Sequence, residues 1–452
     1  MTMERSTDMP TATHIRNPLQ AIAWWRHDFH RMFSARVREA QLGFRETWYL
    51  GALTLGTFTI QVSTGLLLML YYHPSIPQGY ADMKDLEFVV SSGGMLRSLH
   101  RWSAHAMVLL VFVHMAKVFY RRSYRPPREL NWVVGVSLLL ATLLFSYTGY
   151  LLPWDQLSYW GTTVGASIMS SMPVVGAYLR FYLLGGHTVN ANALLRFYVL
   201  HTVILPLVVI LLISIHLWRL HKDGGMYEPD DQGKPILPEH IPAEDELFRG
   251  VENEKTLSYR ELLFREITGI EALAVVLISI ALIWKAPLDE LANPLHTPNP
   301  AKAPWYFTGL QELLHYFPPF VAGIILPVLI VSGLFIIPFF PIFDELTTVD
   351  ACRWVRGKSA RVATIGIALV ALSALLIRLH AWDAIVPLWI VAVLLCAASG
   401  AENRVRGFRN WLSSQSLSFW IMTLFLLEAV VLTSVGTFFR GPGWSWVLPW
   451  RG

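Results

Sequence analysis

Eight stretches of this chain stay apolar over about 20 residues, the length that crosses the hydrocarbon core of a bilayer. They fall at 48–72, 97–119, 132–152, 197–219, 267–285, 321–343, 361–379 and 416–438. A ninth, 384–399, is short and contains Pro387. Read as a span it gives nine transmembrane helices; read as a re-entrant or surface segment it leaves eight. In lipid every backbone polar group must be satisfied within the segment, and runs of this length do so as helices. The expected fold is therefore an all-α polytopic membrane protein. Composition agrees: 54% of residues are hydrophobic and 15% charged, against about 25% charged in soluble proteins. This excludes a soluble globule, a disordered chain and a collagen-like chain.

The charge balance orients the chain. The N-terminal segment and alternate loops hold 26 of the 36 Lys and Arg residues. The positive-inside rule then places the N-terminus in the cytoplasm, as in a bacterial-type cytoplasmic membrane. Orientation explains the net charge of +4, and no nucleic-acid partner is expected. The chain divides into five regions. Residues 1–47 form a cytoplasmic N-terminal segment, with an amphipathic surface helix expected around Trp24 to Arg38. Residues 48–222 form a four-helix unit, and 223–266 a charged cytoplasmic linker. Residues 267–345 form a C-terminal domain, and 346–452 hold further transmembrane helices and a tail. The two cysteines, Cys352 and Cys396, make neither a disulfide framework nor a thiolate metal cluster.

Ionisable residues inside spans are rare and usually functional. The second span carries His100 and His114, and the fourth carries His201 and His216. At about 100° and 1.5 Å per residue, each pair lies within about 60° of one helix face, its members about 21 Å apart. The two spans run in the same direction, so His100 can meet His201 near the outer side and His114 can meet His216 near the inner side. Two opposed imidazoles at each of two depths suit two six-coordinate haem irons. The plainer alternative is four histidines bonded to nearby carbonyls. Gly51 and Gly65 in the first span, and Gly135 and Gly149 in the third, repeat the 14-residue spacing of His100 and His114. Glycine there admits a flat macrocycle; ordinary helix packing is the alternative. His105 lies about 140° round from His100 and reads as structural. His221, at the cytoplasmic end of the fourth span, suits a ligand headgroup or solvent.

The stretches RSLHRWSAHAMVLLVFVHMAKVFYRRSYRPPRELNW, TGYLLPWDQLSYWG and LLRFYVLHTVILPLVVILLISIH resemble cytochrome b of the cytochrome bc complexes. The phrases RSLHRWSA, RPPRELNW and LPWDQ are most similar to the plastoquinol-oxidising branch, which splits the protein into two chains that look fused here. The resemblance implies two non-covalent b haems, held by His100 with His201 and by His114 with His216. It implies quinol oxidation at the outer face, electron transfer through both haems to a quinone site near the cytoplasm, and a contribution to proton-motive force. It further implies a Rieske iron–sulfur partner, a c-type cytochrome partner and a homodimeric complex.

Three departures stand out. The family's Pro-Glu-Trp-Tyr motif at the quinol site reads Ala303, Pro304, Trp305, Tyr306 here, so its proton-accepting glutamate is missing. Glu312, two helical turns beyond Trp305, is the candidate replacement, with Tyr150 a further polar candidate. Leu50 stands where the plastoquinol branch carries a cysteine for a covalently attached third haem, which is therefore not expected. His221 matches a quinone-site histidine of the respiratory branch, with Glu261 or Glu266 as acidic partner. Two other readings remain at this point: a different dihaem quinone-reactive membrane anchor, and a proton-coupled transporter without haem.

Overall fold

A computed structural model describes residues 36–38, 44–222, 256–339, 359–378, 385, 389 and 415–448. The first four long helices are α1 (Leu50–Met69), α3 (Gly93–Tyr120), α4 (Glu129–Tyr150) and a fourth in two parts. Between them lie the shorter α2 (Gln78–Phe88), α5 (Gln156–Ser170) and α6 (Gly176–Leu184). The fourth helix begins as α7 (Ala191–Val199), widens into a π-turn at Leu200–Ile204, and continues as α8 (Leu205–Lys222). After the linker come α9 (Tyr259–Ile283), α10 (Trp305–Tyr316), a second π-turn (Val321–Ile325) leading into α11 (Leu326–Ile336), α12 (Ser359–Arg378) and α13 (Leu417–Phe438).

Seven helices among the described residues are long and apolar enough to cross a membrane. They cover all the expected spans except 361–379, which is occupied by the twenty-residue α12, and 384–399. The latter lies outside the described residues apart from Ile385 and Trp389. In the first unit α1 packs on α3, α3 on α4 and α4 on α8, while α9 packs on both α1 and α3. The core of this bundle joins Met107, Val111, Met115 and Phe119 of α3 to Trp132, Val136 and Leu139 of α4. Leu334 and Met422 close it from α11 and α13. The Trp132 indole N–H, buried there, donates to the Leu334 carbonyl at 2.7 Å, so a polar tip that would otherwise be stranded among apolar side chains is satisfied.

Two expectations for the segments flanking the first unit are corrected. Arg36–Arg38, the end of the expected amphipathic helix, is a strand paired antiparallel with Thr256–Ser258, Val37 opposite a buried Leu257. Cross-strand backbone bonds and burial of Leu257 override the helical pattern there. The rest of that segment lies outside the described residues. The linker also ends earlier than expected: α9 starts at Tyr259 because the Ser258 hydroxyl accepts from the Glu261 amide at 3.1 Å. Ser258-Tyr-Arg-Glu261 is a capping-box spacing, and such a cap contributes about 1 kcal/mol.

At the opposite end of the bundle the segment 284–304 is stitched to the first unit. The Trp102 indole donates to the Trp284 carbonyl at 2.7 Å, and the Ala286 amide donates to the Ser98 hydroxyl at 2.9 Å. Arg97 donates to the carbonyls of Ala286 and Pro287. Asp155 caps α5 by accepting from the Ser158 amide at 2.9 Å, and its other oxygen takes the Asp289 amide at 3.2 Å. The segment is thus held against α3 and α5 before α10 begins.

Candidate haem and quinol site

The structure brings the four span histidines together in two pairs. The rings of His100 and His201 have centroids 6.3 Å apart at 76°, and those of His114 and His216 are 6.4 Å apart at 78°. Near-identical geometry at two depths is unexpected of helices whose histidine intervals differ, 14 residues in α3 and 15 in the fourth helix. The π-turn at Leu200–Ile204 begins one residue before His201. A π-turn takes up one surplus residue without rotating the helix beyond it, so the 15-residue interval presents its histidines as a 14-residue interval does.

Each ring of the His100–His201 pair has a threonine oxygen at its Nδ1. The Thr64 hydroxyl donates to the Ile60 carbonyl at 2.7 Å and lies 2.8 Å from His100 Nδ1. The Thr148 hydroxyl donates to the Leu144 carbonyl at 2.9 Å and lies 3.1 Å from His201 Nδ1. A hydroxyl has a single proton; when it goes to the carbonyl, the ring donates its Nδ1–H to the threonine oxygen. Each Nε2 then keeps its lone pair, the form in which imidazole binds a metal.

The four glycines prove to be places where histidine rings approach. A Cβ added at Gly65 would lie 3.3 Å from His100 Cε1, and one at Gly149 only 2.6 Å from His201 Cε1. At Gly51 and Gly135 the corresponding distances, to His114 and His216, are 3.6 and 3.7 Å. Each ring is therefore seated against a neighbouring helix backbone. The residues fit a bis-histidine haem: a centroid spacing near 6.3 Å is what remains when an ion is bonded at about 2.0–2.1 Å to the near nitrogen of each ring. Arg101 Nε is one of the buried polar atoms that have no hydrogen-bond partner among the described residues. Orphaned atoms of this kind call for a ligand or water. His221 sits at the end of α8, and its side chain is outside the described residues.

Around the start of α10 the aromatic residues of three elements meet. Tyr306 packs on Phe307 at 4.9 Å, and Phe307 lies 6.1 Å from both Tyr150 and Tyr147 of α4. Burial pushes the Tyr306 hydroxyl up to about 12 from its ordinary 10, so it is held neutral. Trp305 donates its indole N–H to His105 Nδ1 at 3.0 Å, and the His105 ring meets Tyr306 edge-on at 5.5 Å. Helical periodicity correctly turned His105 away from the haem face. What it could not show is which element lies on the other side.

Glu312 does not join this group. It is fully buried and ion-paired with Arg440, whose Nε lies 3.0 and 3.1 Å from its two oxygens and whose Nη2 is also bonded. Tyr316 Oη donates to it at 2.6 Å and Trp444 Nε1 at 2.8 Å. The Arg440 guanidinium stacks over Trp446 at 4.4 Å. Although Glu312 stands seven residues from Trp305, one side chain ends on the C-terminal segment and the other on α3. Both Glu312 oxygens are thus engaged by Arg440, Tyr316 and Trp444, away from Trp305 and Tyr306. Arg440 is 128 residues away, and nothing in the sequence singled it out.

Comparison with known proteins decides the family. Residues 40–224 match the family described as Cytochrome b/b6/petB, and residues 291–378 match Cytochrome b(C-terminal)/b6/petD. Cytochrome b6 of Heliobacterium mobile is 47% identical over 175 residues, which are 39% of this chain and 82% of that protein. The chain belongs to the cytochrome b/b6 family. Cytochrome b6 of Synechocystis sp. is 40% identical over the same length, 79% of that protein. In three dimensions the chain resembles a chain of a hyperthermophilic respiratory Complex III, with a TM-score of 0.60 and 23% identity. That likeness covers 92% of this chain and 97% of the other, so the cytochrome b fold extends across both halves. This cytochrome b/b6 chain is accordingly a membrane protein, an electron-transfer subunit of a bc-type oxidoreductase, and a haem b binder by family.

Proposed function

We propose that this chain is the cytochrome b subunit of a quinol:cytochrome c (or similar carrier) oxidoreductase. It oxidises quinol at the outer face, returns electrons to a quinone site near the cytoplasm and so contributes to proton-motive force. The observation that carries this reading is the pair of matched histidine couples on two parallel helices, spaced 6.3 and 6.4 Å between rings. Two haem b groups, when bound, supply one-electron transfer between the two sides of the membrane. His100 and His201 would hold the outer one, His114 and His216 the inner one. Thr64 and Thr148 fix the tautomer of the outer ligands, and Gly149 and Gly65 leave their rings room. Arg101, adjacent to His100, would meet a haem carboxylate with its unpartnered Nε.

The outer segment supplies the quinol side. Trp305, Tyr306 and Tyr150 build an aromatic wall between α10 and α4, and buried neutral hydroxyls there exclude water without contributing charge. Glu312 holds α10 to the C-terminal segment. The reading keeps the N-terminus cytoplasmic, His221 beside the quinone-reducing site, and a Rieske protein, a c-type cytochrome and a second copy of the chain as partners.

A redox-difference spectrum of the purified complex, paired with a pyridine haemochrome count, tests this directly. Two non-covalent b haems per chain are expected, with the outer one lost in His100→Ala and the inner one in His114→Ala. A complex without haem, or with a single haem untouched by either change, would refute the reading.

A further inference from the structure

The outer site lacks the glutamate that its motif would have offered, and Glu312 is spent on Arg440. Beside Arg101, which acts on Tyr306 and His105, a second ionisable side chain faces the same residues. His105 sits on α3 turned away from the haem pair, with the ring of Trp102 at 5.3 Å, that of Tyr306 at 5.5 Å and the Trp305 indole N–H on its Nδ1. Because Nδ1 accepts that bond, the neutral imidazole carries its proton on Nε2. Nε2 has no partner among the described residues. A donor set in a surround of three aromatic rings, beside the residues that begin α10, is suited to a flat aromatic ligand with an oxygen at its edge.

We propose that His105 is a quinol-binding residue of the outer site, its Nε2–H donating to one oxygen of the bound hydroquinone. This rests on the proposed quinol-oxidising function. The Trp305 bond does the positioning: it fixes the ring plane and the tautomer, so the donor is directed before the ligand arrives. Donation to the oxygen binds and orients the hydroquinone and does not itself remove its proton.

The test uses the purified complex and short-chain benzo- and naphthohydroquinones, following turnover and b-haem reduction against hydroquinone concentration. His105→Leu is expected to raise KM about three- to tenfold, the loss of one hydrogen bond, with the haem count unchanged. His105→Gln is expected to restore KM to within about twofold, because its amide offers an oxygen to Trp305 and an N–H in the Nε2 direction. If the leucine variant loses haem, His105→Asn decides, since its amide can keep the Trp305 bond but does not reach the Nε2 position; it should show the KM rise alone. An unchanged KM in the leucine or asparagine variant, or equal damage in the leucine and glutamine variants, overturns the proposal. A wild-type complex that no hydroquinone reduces would instead bring down the proposed function, and this inference with it.

Discussion

Replacing Arg440 by methionine would leave Glu312 fully buried without its cation, and the structure sets the size of the consequence. The bonds from Arg440 Nε and Nη2 disappear, while those from Tyr316 and Trp444 remain. Breaking a buried pair from one side costs about 3–5 kcal/mol. The loss should appear first where Arg440 anchors the chain. The amides of Gly441, Trp444 and Val447 are bonded to Ser445, Gly441 and Phe439 carbonyls, and their hydrogen exchange reports opening of that segment. At pH 7, Arg440→Met should speed their exchange roughly 10²–10³-fold relative to wild type, the equivalent of about 3–4 kcal/mol. Adding Glu312→Gln should recover most of it, because the uncompensated charge is gone. Unchanged exchange in the single variant, or a double variant as damaged as the single, would refute the buried-pair argument.

Gly149→Ala should cost the outer haem, since its Cβ would lie 2.6 Å from His201 Cε1, whereas Gly135→Ala at 3.7 Å from His216 Cε1 should keep both; haem counts on the two variants check this. Thr148→Val should weaken retention of the outer haem about 10–100-fold by removing the acceptor that orients His201, seen as haem loss on dilution. The Tyr306 hydroxyl, held up at about 12 by burial, contributes stability that is whole below pH 10 and is lost as pH rises toward about 12. Tyr306→Phe should flatten that alkaline loss in a pH series of thermal inactivation and leave the profile below pH 9 as it was.

Residues whose geometry follows from a single helix were legible in the sequence; those that depend on a second element were not. His100 and His114 share a face because 14 residues is nearly four turns, and that needs no tertiary knowledge. The pairing with His201 and His216 followed from span direction, but the π-turn that equalises the two intervals has no composition signature: Leu200–Ile204 reads as ordinary apolar helix. The glycine spacing is visible in the sequence, and the structure adds that a histidine ring lies close to each of the four. Ser258 and Glu261 carried an N-terminal capping signal that would have started α9 eight residues before 267. By contrast, Arg440 with Glu312 and Trp305 with His105 are pairings across 128 and 200 residues. Periodicity says which way a side chain points and is silent about what waits there.

The stitching of the outer segment also bears on how such a protein can be encoded. Strand pairing of Arg36–Arg38 with Thr256–Ser258, the packing of α9 on α1 and α3, and the bonds from Trp102, Ser98 and His105 to residues beyond 283 all join the two halves without using the covalent connection. The peptide bonds through 223–255 therefore mainly raise the local concentration of one half around the other. Two separate messages, translated side by side, could supply the same assembly, and fusion would relieve the cell of matching their doses.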